Sequence, residues 1–276
     1  NILEGYPIAD YGHNSAHTIH LMAEAMKRAY ADRSEYLGDT DYVEVPLEGI
    51  TSKGYAKALR KDIHSDQATP STQIAPGNPL PYESNETTHF SIVDRWGNAV
   101  SNTYTINFSY GSGITVAGAG FLLNNEMDDF SAKPGVPNAY GLIGGEANRI
   151  EPGKRMLSSM SPTIVRKDGR NRLVTGSPGG SRIITTTLQV IMNVIDHGLN
   201  IQSAVAAPRI HHQWLPDEIR IEQGISPDTI DLLETMGHSV ETGSAMGAIQ
   251  SIAIDEDGTL WGAADPRRST SSARGY

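Results

Sequence analysis

The chain has 276 residues, a formal net charge of -10 and no cysteine, so disulfides, thiolate chemistry and cysteine-based zinc sites are excluded. No Lys/Arg cluster is large enough to follow a phosphate backbone, which argues against nucleic acid as a partner. No apolar run approaches the roughly 20 residues needed to span a bilayer, and Asn1-Ile2-Leu3-Glu4-Gly5-Tyr6 resembles neither a signal peptide nor a natural start. The chain is therefore expected to be a piece of a longer precursor.

In chain order, residues 15–36 predict an amphipathic helix with Ser15 as N-cap, since Ile19, Met22, Ala23, Met26, Ala29 and Tyr30 recur at helical spacing. A weaker helix is expected over 53–63. Residues 67–81 are dense in Pro, Thr, Ser and Gly and read as a loop or linker. The texture then becomes β-rich, with strands expected over 88–93 and 98–106 about the turn Asp94-Arg95-Trp96-Gly97. Further strands are expected over 162–166, 172–176, 250–255 and 260–264. Helices are expected over 183–197, stopped by Gly198, and over 202–207 and 228–236. Helices flank blocks of strands without a regular βαβ rhythm, which favours a layered α+β sandwich over a doubly wound sheet.

The segment Glu83-Ser84-Asn85-Glu86-Thr87-Thr88-His89-Phe90 carries a Pro-rich loop straight into a strand. A hydroxyl at such a junction suits self-cleavage. Thr87 can attack the Glu86 carbonyl, form an ester by N-to-O shift and emerge as a new N-terminus. Its free α-amino group, with a reference pKa near 8, then serves as its own general base. Read alone, Thr87-Thr88 is more simply a β-branched strand start, and Asn85-Glu86-Thr87 matches a glycosylation sequon by accident. Gly176-Ser177-Pro178-Gly179-Gly180-Ser181 is either a plain turn or a loop that aims backbone amides at an anion. It lacks the lysine and spacing of a P-loop. His211-His212 offers a metal pair only weakly, because neighbouring histidines on a strand point apart and no further ligand is evident. His89 is not needed as a base if the α-amino group serves.

Several motifs together resemble the γ-glutamyltransferase (γ-glutamyltranspeptidase) family of N-terminal nucleophile hydrolases. They are Thr87-Thr88-His89-Phe90-Ser91-Ile92-Val93-Asp94, Leu123-Asn124-Asn125-Glu126-Met127-Asp128-Asp129-Phe130, Leu157-Ser158-Ser159-Met160-Ser161-Pro162-Thr163 and the Gly179-Gly180 loop. Tyr30-Ala31-Asp32-Arg33 upstream and Asp265-Pro266-Arg267 near the end extend the resemblance over nearly the whole chain. It implies a four-layer αββα sandwich and autocatalytic cleavage between Glu86 and Thr87. Residues 1–86 would then be the tail of a large subunit, and residues 87–276 the small, catalytic subunit.

Carried over residue by residue, the resemblance makes Thr87 the nucleophile and Thr105, on the strand expected to pair with the one Thr87 begins, the partner of its hydroxyl. Gly179 and Gly180 become the oxyanion hole. Asn107, Glu126 and Asp129 become the grip on the substrate's α-ammonium, and Ser158 and Ser159 bind its α-carboxylate. Glu126 stands where some members carry Gln. The Gly/Pro-rich stretch 133–145, with Tyr140, resembles a lid over the glutamyl pocket. Some members that act as acylases lack this loop, so its presence favours the transferase and hydrolase.

The implied reaction moves a γ-glutamyl group from glutathione or similar donors to water, an amino acid or a peptide, without a cofactor or metal. The implied partners are these small molecules and the rest of the large subunit, and the implied location is periplasmic or extracellular. A glutaryl or cephalosporin acylase on the same scaffold is the nearest alternative, and a non-catalytic uncleaved fragment is another.

Overall fold

The computed structural model describes residues 1–77 and 90–275. Seven helices are placed among them: α1 (Ile8–Tyr11), α2 (Ala16–Tyr36), α3 (Leu47–Thr51), α4 (Lys53–Leu59), α5 (Arg182–Ile195), α6 (Ile201–Ala206) and α7 (Pro227–Thr235). The strands are β1 (Ser91–Val93), β2 (Ala99–Ser101), β3 (Thr163–Lys167), β4 (Arg170–Thr175), β5 (Ile210–His211), β6 (Ile219–Ile221), β7 (Val240–Thr242), β8 (Gln250–Ile254) and β9 (Leu260–Ala264).

The antiparallel β3-β4-β8-β9 sheet is the centre of a layered α+β arrangement. The β1-β2 hairpin packs on one face of it, and α5 and α6 pack on the other. Strand periodicity explains the hairpin's seat. Ile92 and Val100 pair across the ladder and point outward, whereas Ser91 and Ser101 turn inward. Ser91 Oγ donates to the Gln250 carbonyl at 3.0 Å, and Ser101 Oγ to those of Thr163 and Thr175 at 3.2 and 3.1 Å. A second sheet, β5-β6-β7, pairs β5 with β6 antiparallel and β6 with β7 parallel. The parallel pair is joined through α7, the crossover that parallel strands require.

Two apolar clusters meet along α5. Val190 belongs to the cluster of Leu173, Val205 and Ala263, and Met192 to that of Ile19, Met26, Ile219 and Leu233. Alternate sides of one helix thus seal both sheets.

The expected helix over 15–36 is present, and Ser15 Oγ caps it by accepting the Thr18 N–H at 3.1 Å. It is not a surface amphipathic helix, however. Glu24, Lys27, Arg28 and Asp32 are as buried as Ile19 and Met26, and Ala29 is exposed. The cause is residues 67–77, the described part of the stretch expected to be a loop or linker, which lie across the polar side of α2. Thr69 N–H donates to Glu24 at 3.0 Å, Lys27 Nζ donates to the Thr69 carbonyl at 2.8 Å, and Gly77 N–H donates to Asp32 at 2.8 Å. The strand expected over 98–106 is also shorter, ending at Ser101, and β6 and β7 were not foreseen.

Candidate active site

A cavity of about 990 Å³ lies at the end of the central sheet, walled by Thr105, Asn107, Asp129, Tyr140, Ser158, Ser159, Gly179 and Gly180 among others. Eight of the site positions picked from sequence therefore converge from five separate stretches of chain. Thr87 lies outside the described residues, as do Thr88 and His89. Glu126 is not on the cavity wall but beside Asp129.

Each wall has a local reason. Gly179 and Gly180 adopt φ of 140° and 58°, and a Cβ on Gly180 would stand 2.6 Å from the Tyr140 ring, so only glycine fits beneath that ring. The turn behind them is fixed twice: the Tyr30 hydroxyl donates to the Ser181 carbonyl at 2.5 Å, and Ser181 Oγ donates to Gln213 Oε1 at 2.8 Å. Gln213 also donates its amide to the Tyr140 carbonyl at 3.2 Å, so one side chain joins the Tyr140 segment to the glycine loop. Tyr140 reaches over the cavity, its hydroxyl donating to the Asn107 carbonyl at 3.2 Å and its ring meeting Phe108 edge-on.

Asn107 sits in the left-handed region at φ 70°, and its amide donates to the Asn125 carbonyl at 3.1 Å. Asn125 Oδ1 in turn accepts the Phe108 N–H at 3.0 Å. These bonds bring the turn that carries Glu126 and Asp129 (Glu126–Asp129, a single 3₁₀ turn) up to the cavity. Asp129 and Ser158-Ser159 are set relative to each other by Asn148, whose amide donates to the Asp129 carbonyl at 2.7 Å while its Oδ1 accepts the Leu157 N–H at 2.9 Å. Asp39 anchors the approach to the serines by accepting from Arg155 N at 2.8 Å and Nε at 3.0 Å.

The expected placing of Thr105 is corrected. It lies past the end of β2 in an exposed irregular stretch, and its Oγ1 accepts the Asn107 N–H at 2.7 Å. The chain here follows the 123–125 segment rather than the hairpin, so the hydroxyl currently serves the turn before Asn107.

The electrostatics are dominated by crowded acids. Burial, reinforced by the neighbouring Glu126 charge, pushes the Asp129 carboxyl up to about 7, against the pull of Arg33. Burial also raises Glu126, whose two carboxylate oxygens are shielded from solvent beside Asp129. Two acids held this way are poised for a cation. His211 Nε2 faces Gln213 Oε1 at 2.9 Å and its Nδ1 faces Thr185 Oγ1 at 2.8 Å. Burial lowers it to about 4, so it is a neutral strut beneath the glycine loop. His212 turns the other way, toward Asp217 at 3.3 Å. No cluster of three or more metal-ligating side chains occurs among the described residues.

Sequence reasoning missed Asn148 and Gln213, which carry no motif of their own. It noticed Tyr30-Ala31-Asp32-Arg33 without assigning roles. Tyr30 holds the Ser181 carbonyl, Asp32 holds Gly77 N–H and the Tyr55 hydroxyl at 2.9 Å, and Arg33 Nη2 donates to Ser159 Oγ at 2.9 Å.

Comparison with known proteins identifies the family. A family model for gamma-glutamyltranspeptidase matches residues 1–275. The glutathione hydrolase proenzyme of Escherichia coli is 59% identical over the whole chain, which spans 48% of that relative. That of Pseudomonas sp. is 50% identical, again over the whole chain and 50% of the relative. The chain thus spans about half the length of the curated relatives it matches. Among solved structures, Helicobacter pylori gamma-glutamyltranspeptidase is 61% identical with a TM-score of 0.64, covering 66% of this chain and 100% of that one. Cephalosporin acylase from Bacillus halodurans is 28% identical with a TM-score of 0.82, covering 100% of this chain and 49% of that one. The fold is the N-terminal nucleophile hydrolase type expected from the motifs, and the chain belongs to the gamma-glutamyltranspeptidase family.

Proposed function

We propose that this chain supplies the catalytic part of a γ-glutamyltransferase and glutathione hydrolase whose nucleophile is Thr87. The carrying observation is the convergence of Asn107, Asp129, Ser158, Ser159, Gly179 and Gly180 on one cavity under Tyr140. Cleavage at Glu86/Thr87 would free the threonine amine. Thr87 Oγ then attacks the γ-carbonyl while its amine takes the hydroxyl proton. Gly179 and Gly180 amides stabilise the oxyanion, and the leaving amine departs with that proton. Water or an acceptor amine resolves the ester by the reverse sequence.

In this reading residues 1–86 belong to a large subunit whose remainder completes the enzyme, and 87–276 form the small subunit. The glutathione donor, the amino acid or peptide acceptor and export to the periplasm or cell surface belong to the same reading. Its support is the likeness to glutathione hydrolase proenzymes. Among the described residues no helix is long and apolar enough to cross a membrane.

Intact mass of the full-length protein tests the first step. Two fragments meeting at Glu86/Thr87 are expected, with one uncut chain for Thr87→Ala, and efficient cleavage of the Ala variant removes Thr87 from the mechanism. Paired kinetics separate the acylase alternative, which the similarity to cephalosporin acylase keeps in view. A glutaryl group lacks the ammonium that Asp129 and Glu126 would hold, and buried groups left unpaired discriminate strongly. The γ-glutamyl anilide should exceed its glutaryl analogue in kcat/KM by at least about 100-fold. Equal constants would favour the acylase.

A further inference from the structure

Arg33 is a cation without an obvious counterion. Among the described residues no carboxylate lies within ion-pair distance of it, and its Nε is shielded from solvent without a partner. Among the described residues its side-chain hydrogen bond is the 2.9 Å donation from Nη2 to Ser159 Oγ. On its other side it shares the wall of a second, small cavity with Asp129, Ser131 and Asn148. Partly buried guanidinium groups are costly unless they serve an anion, so the question is which anion Arg33 serves.

The donor inventory answers it. A guanidinium only donates, so Ser159 Oγ must accept there. The serine's single proton is thereby left to point elsewhere, and Ser159 also lines the main cavity. A hydroxyl polarised in this way is a donor for a carboxylate. Meanwhile the same positive charge stands behind Asp129, where it opposes the charges of Glu126 and Asp128 from Asp129's own turn. Tyr140 faces Asp129 from the lid, and Tyr30 lies beside Arg33 on α2.

We propose that Arg33 is the positioning residue for the amino-acid end of the substrate, acting through Ser159 on the α-carboxylate and through Asp129 on the α-ammonium. One charge on α2 thus serves both poles of a zwitterion, donating through a hydroxyl to the anion and keeping the acid that meets the cation ionised. This rests on the γ-glutamyl reading above, which wild-type hydrolysis of γ-glutamyl-p-nitroanilide tests separately.

The experiment uses the full-length enzyme with Arg33→Gln and Arg33→Lys and three anilides. These are γ-glutamyl, glutaryl (no ammonium) and 4-aminobutyryl (no carboxylate). For Arg33→Gln, KM for the γ-glutamyl anilide should rise about tenfold or more, with a smaller loss on each truncated anilide. The acid limb of its kcat/KM profile should move up by roughly one pH unit. Arg33→Lys keeps the charge, so it should restore the limb but not the KM.

A purely structural role would lower kcat/KM for all three anilides alike and leave the limb in place, and that result overturns the proposal. If Arg33→Gln does not fold or process, Arg33→Lys decides: an unchanged KM, or equal losses on all three anilides, overturns it. Should neither accumulate, Ser159→Ala decides instead. It should weaken the two anilides that carry a carboxylate and spare the 4-aminobutyryl one, and equal harm to all three refutes the assignment. A wild-type enzyme without γ-glutamyl hydrolysis removes the underlying reading and this role with it, whereas an active wild type with an unmoved limb in Arg33→Gln removes this role alone.

Discussion

At the scale of single residues, the proton on Asp129 decides what the pocket can bind. A carboxyl pushed up to about 7 by burial and by Glu126 is partly protonated near neutrality, and the protonated form has no charge for an ammonium. Below that value ligand binding must displace a proton, so kcat/KM for a γ-glutamyl substrate should fall up to about tenfold per pH unit. Glu126→Gln removes the neighbouring like charge. The limb should then shift to lower pH by roughly one unit, which a kcat/KM profile between pH 5 and 9 measures; an unmoved limb would show that the Glu126 charge does not govern Asp129. The sequence made both acids visible, as part of a recognisable motif. It could not show that Glu126 stands behind Asp129 instead of on the cavity wall, because that depends on how Asn107 and Asn125 lock the turn in place. Thr105 was misplaced for the same reason: β-propensity extended a strand that tertiary hydrogen bonds end at Ser101.

At the scale of elements, α2 departs most from its sequence pattern. Its apolar period correctly gave a helix with Ser15 at the cap, but a period says nothing about what covers the opposite side. Here that side buries Glu24 with Lys27 at 3.1 Å and Arg28 at 2.7 Å, and these cations hold the Glu24 carboxyl down to about 2 despite its burial. Removing the acid leaves Arg28 without its carboxylate and Lys27 with only the partly exposed Asp217, at 3.4 Å. Glu24→Gln should therefore destabilise the fold by about 3 kcal/mol or more, read as a lower urea midpoint with an unchanged slope. A change below about 0.5 kcal/mol would mean that the cluster is wet and loosely held. The charge pattern Glu24, Lys27, Arg28 is legible as helical spacing, yet its burial follows from residues 62–77, most of which belong to the stretch whose composition reads as a loop or linker.

For the whole molecule, histidine burial sets the acid limit. His20 Nδ1 faces His238 Nε2 at 2.8 Å, and its Nε2 contacts the His64 carbonyl at 2.7 Å. Burial lowers His238 to about 3 and His211 to about 4, and it lowers His20 and His212 as well. Folded pKa values below the unfolded 6.5 mean that the unfolded chain binds more protons between those limits. Stability is then fully present above about pH 6.5 and falls as pH drops, by up to about 1.4 kcal/mol per pH unit for each such histidine. Asp129 opposes this, because its raised pKa favours the folded state as pH falls from about 7. Burial raises Glu126 and Asp32 in the same sense, but His13 and His197 are lowered too and the histidines outnumber the acids, so the thermal midpoint should drop between pH 6.5 and 5, as calorimetry can check. A flat profile would refute the buried, neutral assignment. The α+β class was legible because helical and strand periods alternate in blocks. The second sheet was not, since β6 and β7 are three residues each and too short for a period to register.

The hydrogen bonds from Tyr30, Asp32 and Arg33 have a further consequence, in the kinetics of local opening. Three positions within one turn of α2 tie down three loops far apart in sequence, at Ser181, Gly77 and Ser159. Those loops have little regular structure of their own, so each would ordinarily exchange its amide hydrogens by small independent fluctuations. Bound to one helical turn, they can be released together only when that turn unwinds, which makes them members of a single cooperative unit. Amides of α2 and of the glycine and serine loops should then exchange with a shared opening free energy, and a destabilising change in any one of the three should accelerate exchange in the other two.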